Sequence, residues 1–215
     1  MMLLNDLPKR LEADDPEEKQ IVTGINWLKY EDFLAELGDS SGYRITYLDG
    51  VLEIVSPSRR HESGKTRIGD LLLIYFIETD TEYFPTGSTT FRKEARQAGG
   101  EPDESYCIGT EKDFPDLAIE VVITSGGINR LDLYRRLGVR EVWFWQNDNF
   151  SIYHLREEIP SQFAQTFGYE LMTHSELLPD LDMNLLTQCV RFPNPLAAAK
   201  EFRQRLREKR DRRCV

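Results

Sequence analysis

The chain has 215 residues, 40% hydrophobic and 11% aromatic, enough to bury a core in one domain. Its longest purely apolar run, Leu71 to Ile77, is about a third of the ~20 residues a membrane-spanning helix needs, which excludes such a span. Net charge is −10, but nine Lys/Arg against three Asp/Glu over residues 191–215 make that tail about +6 and leave the rest about −16; an acidic body repels polyanions and a basic tail attracts them, so charge alone does not decide for or against nucleic acid.

The start, MMLLNDLPKR, lacks the basic-then-apolar order of a secretion signal, and a cytoplasmic location is expected. Cys107, Cys189 and Cys214 show no paired spacing, so reduced thiols are expected rather than a disulfide framework or a zinc site.

Residues 1–22 are mostly polar and charged, without apolar periodicity, and read as a mobile arm. Trp27, Leu28, Tyr30, Phe33, Leu34 and Leu37 recur at helical spacing, and GDSSG stops that helix. YRITYLDGVLEIV then predicts a hairpin turning at Asp49-Gly50, residue types that tolerate the positive φ both turn positions require. Ile68, Leu71, Leu72, Tyr75 and Phe76 form the stripe of a long helix that follows SPSRRHES. EYFPTGSTTFRKE reads as one strand, Gly99-Gly100 as part of a loop, PDESYCIG and PDLAIEVVITS as paired strands, GGINRLDLYRRLG as a helix, and REVWFWQ as a strand. FSIYHL extends the sheet, and PLAAAKEFRQRLREKRDRR has the composition of a surface helix. From residue 61 the order is αβββαβ, with residues 23–190 as one domain and 191–215 as a basic helical tail.

Glu120 is out of place in its apolar strand, because an ionised carboxylate loses hydration there unless something compensates it. Period-two alternation puts Asp116, Ala118, Glu120 and Val122 on one face. Asp116 is roughly 13 Å away at ~3.3 Å per residue, too far to share an ion with Glu120. The loop between the two strands has its midpoint at Glu111/Lys112, so paired residues sum to about 223 and Asp103 faces Glu120 at a Cβ separation of roughly 5 Å. Two carboxylates so placed either share a divalent cation or force one to take up a proton. Arg130, in the first turns of the next helix, adds a positive charge suited to phosphodiester chemistry.

YLDGVLEIVSPSRRH, EPDESY, PDLAIEVV and NRLDLYRRLGVREVWFW, in this order, resemble the Uma-two endonuclease family of the PD-(D/E)XK restriction-endonuclease-like superfamily over roughly residues 25–190. The resemblance implies an α/β (α+β) fold with a mixed central sheet flanked by helices, preceded by the first helix and the hairpin. It also implies a magnesium-type (or Mn²⁺) site, DNA as substrate and a homodimer. The matching positions are Glu53, His61, Asp103 and Glu120, with Asp103 and Glu120 as metal ligands. Where the superfamily places lysine the chain has Val122, and where this family places it the chain has Arg130, which holds charge but cannot act as a general base. Lys65 is the candidate replacement.

Blander readings stand beside these. Glu53 shares a face with Val51 and Val55 and equally suits a solvent-facing position; Asp103 can cap a turn, and Asp116 fits a strand-entry role. His154 and His174 match nothing and read as surface, Trp143 and Trp145 as core. Two competing functions remain open: an inactive nuclease-fold protein that binds nucleic acid or a protein partner, and an enzyme for a small phosphate ester.

Overall fold

The computed structural model describes residues 17–38, 42–156 and 161–213. Expectations for residues 1–16 and for Cys214 lie outside the described residues. The chain runs β1 (Glu18–Thr23), α1 (Trp27–Leu37), β2 (Arg44–Leu48), β3 (Val51–Ser56), α2 (Arg59–Thr79), β4 (Tyr83–Pro85), β5 (Phe91–Lys93), β6 (Ala98–Gly100), β7 (Glu104–Ile108), β8 (Leu117–Val121), α3 (Arg130–Leu137), β9 (Glu141–Gln146), β10 (Asn149–Leu155), β11 (Tyr169–Met172), α4 (Met183–Arg191) and α5 (Pro195–Arg213).

Two sheets result. The first, ordered β1-β3-β2-β6-β5, is antiparallel throughout; the second, ordered β11-β10-β9-β8-β7-β4, is mixed, with β8 and β9 its parallel pair. Within the second sheet the order α2-β4-β7-β8-α3-β9 is the αβββαβ core of the restriction-endonuclease-like fold, and α3 supplies the crossover that two parallel neighbours need. The hairpin forms as its turn chemistry dictates, with Asp49 at φ 46° and Gly50 at φ 83°.

Three apolar clusters separate the layers. α1 lays Tyr30 and Phe33 on Ile45, Tyr47, Leu52 and Ile54 of the hairpin. α3 sits between the sheets, with Leu131, Leu133 and Leu137 meeting Phe91 and Ala98 on one side and Ala118 and Val142 on the other. α2, α4 and α5 cover the opposite face of the second sheet, where Trp143 and Trp145 are buried in the core.

Several expectations are corrected. Residues 18–23 are not arm but edge strand β1, paired antiparallel with β3; its apolar residues alone gave no period, and the pairing is made across 30 or so residues of chain. EYFPTGSTTFRKE is two strands in different sheets, because Pro85 cannot continue a ladder and the chain turns between Thr86 and Thr89. Gly99-Gly100 is strand β6 rather than loop, and Gly99 is required because the Tyr30 ring occupies the space of a Cβ there. His154 is buried, not on the surface: it lies 3.1 Å from Glu141, a buried carboxylate that also accepts from the Trp143 indole.

The basic tail is a docked helix. Ala198, Phe202 and Leu206 are buried against the α2 side of the core, and each fully buried Leu or Phe contributes about 1.5–3 kcal/mol. Its polar edge closes on Glu78 of α2, which receives Arg203 Nε at 2.5 Å and Arg207 Nε at 2.9 Å. The Arg207 hydrogen bonds, followed by those of Arg203, hold Glu78 down at about 2 against the effect of burial. A carboxylate with a depressed value stabilises above its ordinary range, and that contribution is lost as pH falls toward about 2. Glu78→Gln is therefore expected to speed amide exchange in α5 at pH 7, with the gap to wild type closing on acidification. Equal exchange at pH 7 would mean that the apolar face alone holds the helix. Among the described residues no helix is long and apolar enough to cross a membrane.

Candidate active site

Between the edge of the first sheet and the carboxyl ends of β8 and β9 lies a cavity of about 450 Å³, with Glu53, Glu120, Arg130, His61, Lys19 and Arg44 in its wall. Glu53 enters from β3 and is buried, which settles its two readings against the solvent-facing one. Its Oε2 accepts from the Ile128 backbone N–H at 3.0 Å and its Oε1 from Arg130 Nη2 at 2.6 Å. The Ser125-Gly126-Gly127 loop presses so closely on this carboxylate that a Cβ at Gly127, where φ is +104°, would collide with Oε2.

The β7/β8 ladder pairs Glu104 with Ile119, Ser105 with Ala118 and Tyr106 with Leu117, the register expected from the loop midpoint. It stops there, and Asp103 stands just past its end with its N–H donated to the Ile119 carbonyl at 3.2 Å, so the expected Asp103–Glu120 pair is not part of the ladder. Glu120 is 7% exposed on the α3 side of β8. Its Oε1 accepts from the Tyr134 hydroxyl and lies 3.4 Å from Arg130 Nε. Burial pushes the Glu120 carboxyl up to about 7; Arg130 and Tyr134 pull it back, and the Asp103 charge adds to the rise.

Asp103 is 2% exposed. Its Oδ1 lies 2.8 Å from His61 Nε2 and 3.3 Å from Arg44 Nε, and its Oδ2 accepts from the Val121 N–H at 2.7 Å. Burial alone would raise this carboxyl, but the His61 hydrogen bond and charge, with Arg44, hold it below the usual range. Asp103 is not itself in the cavity wall; it acts on the cavity through His61 and Arg44, which are.

His61 starts α2 under an N-cap from Ser58. Its Nδ1 is 2.8 Å from Glu17 Oε2, so the ring bridges two carboxylates. Burial lowers its affinity for a proton, and the hydrogen bonds to Asp103 and Glu17 outweigh that, carrying it to about 9. At neutral pH it is an imidazolium with both N–H groups donated, a fixed charge rather than a base.

Glu53, His61, Glu120 and Arg130 thus converge, with Asp103 directly behind them. Lys65 does not join them: its Nζ sits 3.8 Å from Glu62, outside the cavity wall. Asp116 lies at the entry end of β8, accepting from the Ile108 N–H at 2.8 Å and from Lys112. Glu17, Lys19, Arg44 and Tyr134 were not anticipated. Tyr134 stands four residues after Arg130, on the same helical face, and that spacing was the available signal. Glu17 and Lys19 had none, because they reach the site only through the pairing of β1 with β3.

Among the described residues no three His, Cys, Asp or Glu side chains form a preformed metal cluster. The donors still suit a hard cation. A carboxylate offers about four lone-pair positions; the named contacts use three on Asp103 and two on Glu120, and Mg²⁺ is commonly held by one or two carboxylates with water completing its shell. Arg130 is the competitor for that place, since its guanidinium already bridges Glu53 and Glu120.

No curated protein matches the chain. The Uma2 family model, described as "Putative restriction endonuclease", matches residues 29–186, which include Glu53, His61, Asp103, Glu120 and Arg130; the chain belongs to this family.

Proposed function

We propose that this protein is a metal-dependent endonuclease that hydrolyses phosphodiester bonds of DNA in the cytoplasm, with Mg²⁺ or Mn²⁺ held by Asp103 and Glu120. The observation that carries the reading is two buried acids, Asp103 and Glu120, at the same end of the β7/β8 pair, beside a cavity whose wall carries Arg44, His61 and Arg130 together with Glu53. Such a cation, when bound, polarises a phosphoryl oxygen and acidifies water.

The chain's own groups supply the rest. Glu120, raised to about 7, is poised to exchange a proton near neutrality unless a cation fixes it in the ionised form. Tyr134 and Arg130 both engage its Oε1 and so fix the carboxylate's rotation. Glu53 anchors Arg130 from the other side, and Arg130 Nη1 is a buried donor with no hydrogen-bond partner that a phosphate oxygen would satisfy. His61 and Arg44 hold Asp103 ionised.

Purified protein is expected to nick supercoiled plasmid in Mg²⁺ or Mn²⁺, and Glu120→Ala to abolish nicking. Equal nicking by the variant would trace the activity to a contaminant and defeat the proposal. A homodimer belongs to the same proposal, since two copies can reach both strands, and sedimentation of the full chain tests it.

A second reading, an inactive nuclease-fold protein that binds DNA or a protein partner, is favoured by one observation: Arg130 occupies the space between Glu53 and Glu120 and stays protonated. Calorimetry without Mg²⁺ or Mn²⁺ binding, together with DNA affinity that survives EDTA, would select it.

A further inference from the structure

We infer that Lys19, on the N-terminal strand β1 and outside the segment matched by the family model, is a phosphate-contacting residue of this site. The inference rests on reading the cavity as the place where a nucleic acid docks.

Four cations stand in the cavity wall: Lys19, Arg44, His61 and Arg130. Three are matched to carboxylates. Arg130 lies between Glu53 and Glu120, His61 between Glu17 and Asp103, and Arg44 between Asp103 and Glu62. Each such cation is largely neutralised at short range, so it offers an incoming phosphate little net attraction.

Lys19 differs. β1 pairs with β3 so that Lys19 stands opposite Val55 and Ile21 opposite Glu53, which directs Lys19 to the face of β3 that lines the cavity. Its Nζ donates to the Gly126 carbonyl at 2.8 Å and lies 3.4 Å from the Thr124 carbonyl. Among the described residues no carboxylate oxygen comes within ion-pair distance of it. Two neutral acceptors fix an ammonium without cancelling its charge, and of its three donors one remains for a ligand. The placement is not adventitious, because Glu17, two residues earlier, ties the same loop by accepting from Thr124 Oγ1 at 2.5 Å. β1 thus anchors the 124–127 loop and presents, beside Glu53 and Arg130, an ammonium that no carboxylate among the described residues pairs directly. An ammonium is a compact point charge suited to a phosphodiester oxygen.

The test measures binding of the full chain to a labelled DNA duplex by fluorescence anisotropy in EDTA over a range of salt, for wild type, Lys19→Gln and Lys19→Arg. Removing one phosphate contact lowers the magnitude of the slope of log affinity against log salt by about 0.9 and weakens binding about fivefold at low salt, irrespective of DNA sequence. Lys19→Arg is expected to restore both. A role confined to holding the loop would change thermal stability without moving the salt slope.

Lys19→Gln with wild-type affinity and slope, failure of Lys19→Arg to restore the slope, or absence of DNA binding by wild type each overturns the inference. Plasmid nicking by the same preparations separates it from the nuclease reading. A slope that shifts in a protein that never nicks keeps Lys19 and discards catalysis, whereas Glu120-dependent nicking that Lys19→Gln leaves untouched keeps catalysis and discards Lys19.

Discussion

Replacing Arg130 with methionine is expected to destabilise the folded protein by about 3–5 kcal/mol at pH 8, the usual cost of removing one partner from a buried ionic group. The guanidinium touches Glu53 Oε1 at 2.6 Å and lies 3.4 Å from Glu120 Oε1, and both acids are buried. Without it, Glu53 keeps one backbone N–H and Glu120 one tyrosine hydroxyl, neither of which carries a compensating charge. Two relief routes follow from electrostatics. Acid is the first: Glu120, already at about 7 through burial, moves higher still and takes a proton, so the cost shrinks toward pH 5.

A divalent cation is the second route. If the guanidinium stands where the cation would otherwise sit, Mn²⁺ at saturating concentration should raise the melting temperature of Arg130→Met by more than that of wild type, because a ligand bound only by the folded state stabilises by mass action. Urea titration at pH 5 and pH 8, with and without Mn²⁺, measures all of this. A cost below about 1 kcal/mol at pH 8, in the range typical of an exposed pair, would show that Arg130 does not neutralise the buried acids.

Raising the pH of metal-free wild-type protein from 6.5 to 9 is expected to lower its stability, by at most about 3 kcal/mol. His61 is the source: its value rises from 6.5 in the unfolded chain to about 9 between Asp103 and Glu17. A group with a raised folded value contributes fully below its unfolded value, and the contribution disappears as pH climbs through the folded one. Glu120 acts in the same sense over a lower window, from 4.5 to about 7. Asp103 and Glu17, both lowered by their hydrogen bonds to His61 against the effect of burial, act in the opposite sense and lose their contribution on acidification. Maximum stability is therefore expected on the mildly acidic side of neutrality. Urea midpoints in EDTA between pH 4 and 9.5 give the profile for wild type and for His61→Gln. The variant should lose the slope between 6.5 and 9 and keep the one below 7. A wild-type curve that stays flat above 6.5, or a variant with the same slope there, would place the imidazolium elsewhere.

Local pattern was enough for much of this molecule. The Asp49-Gly50 turn, the stripe from Ile68 to Phe76 and the glycines bounding α3 fix their own elements, because each depends on residues within one turn or one pleat of each other. The register of β7 against β8 was also legible, since a short loop sets the register of the hairpin it closes, although the ladder ends one step before Asp103 and Glu120. The αβββαβ order follows from these pieces.

What the linear chain could not disclose is how the first sheet meets the second. β1 pairs with β3, and the β5/β6 hairpin joins the first sheet through the pairing of β6 with β2; both of these contacts span dozens of residues and depend on closing long loops rather than on local preference. That assembly alone buries Glu53, brings Glu17 against His61 and sets Lys19 against the 124–127 loop. It also decides that Arg130 spends its charge between two acids, because the separation of Glu53 on β3 from Glu120 on β8 is a property of packed layers and not of sequence spacing.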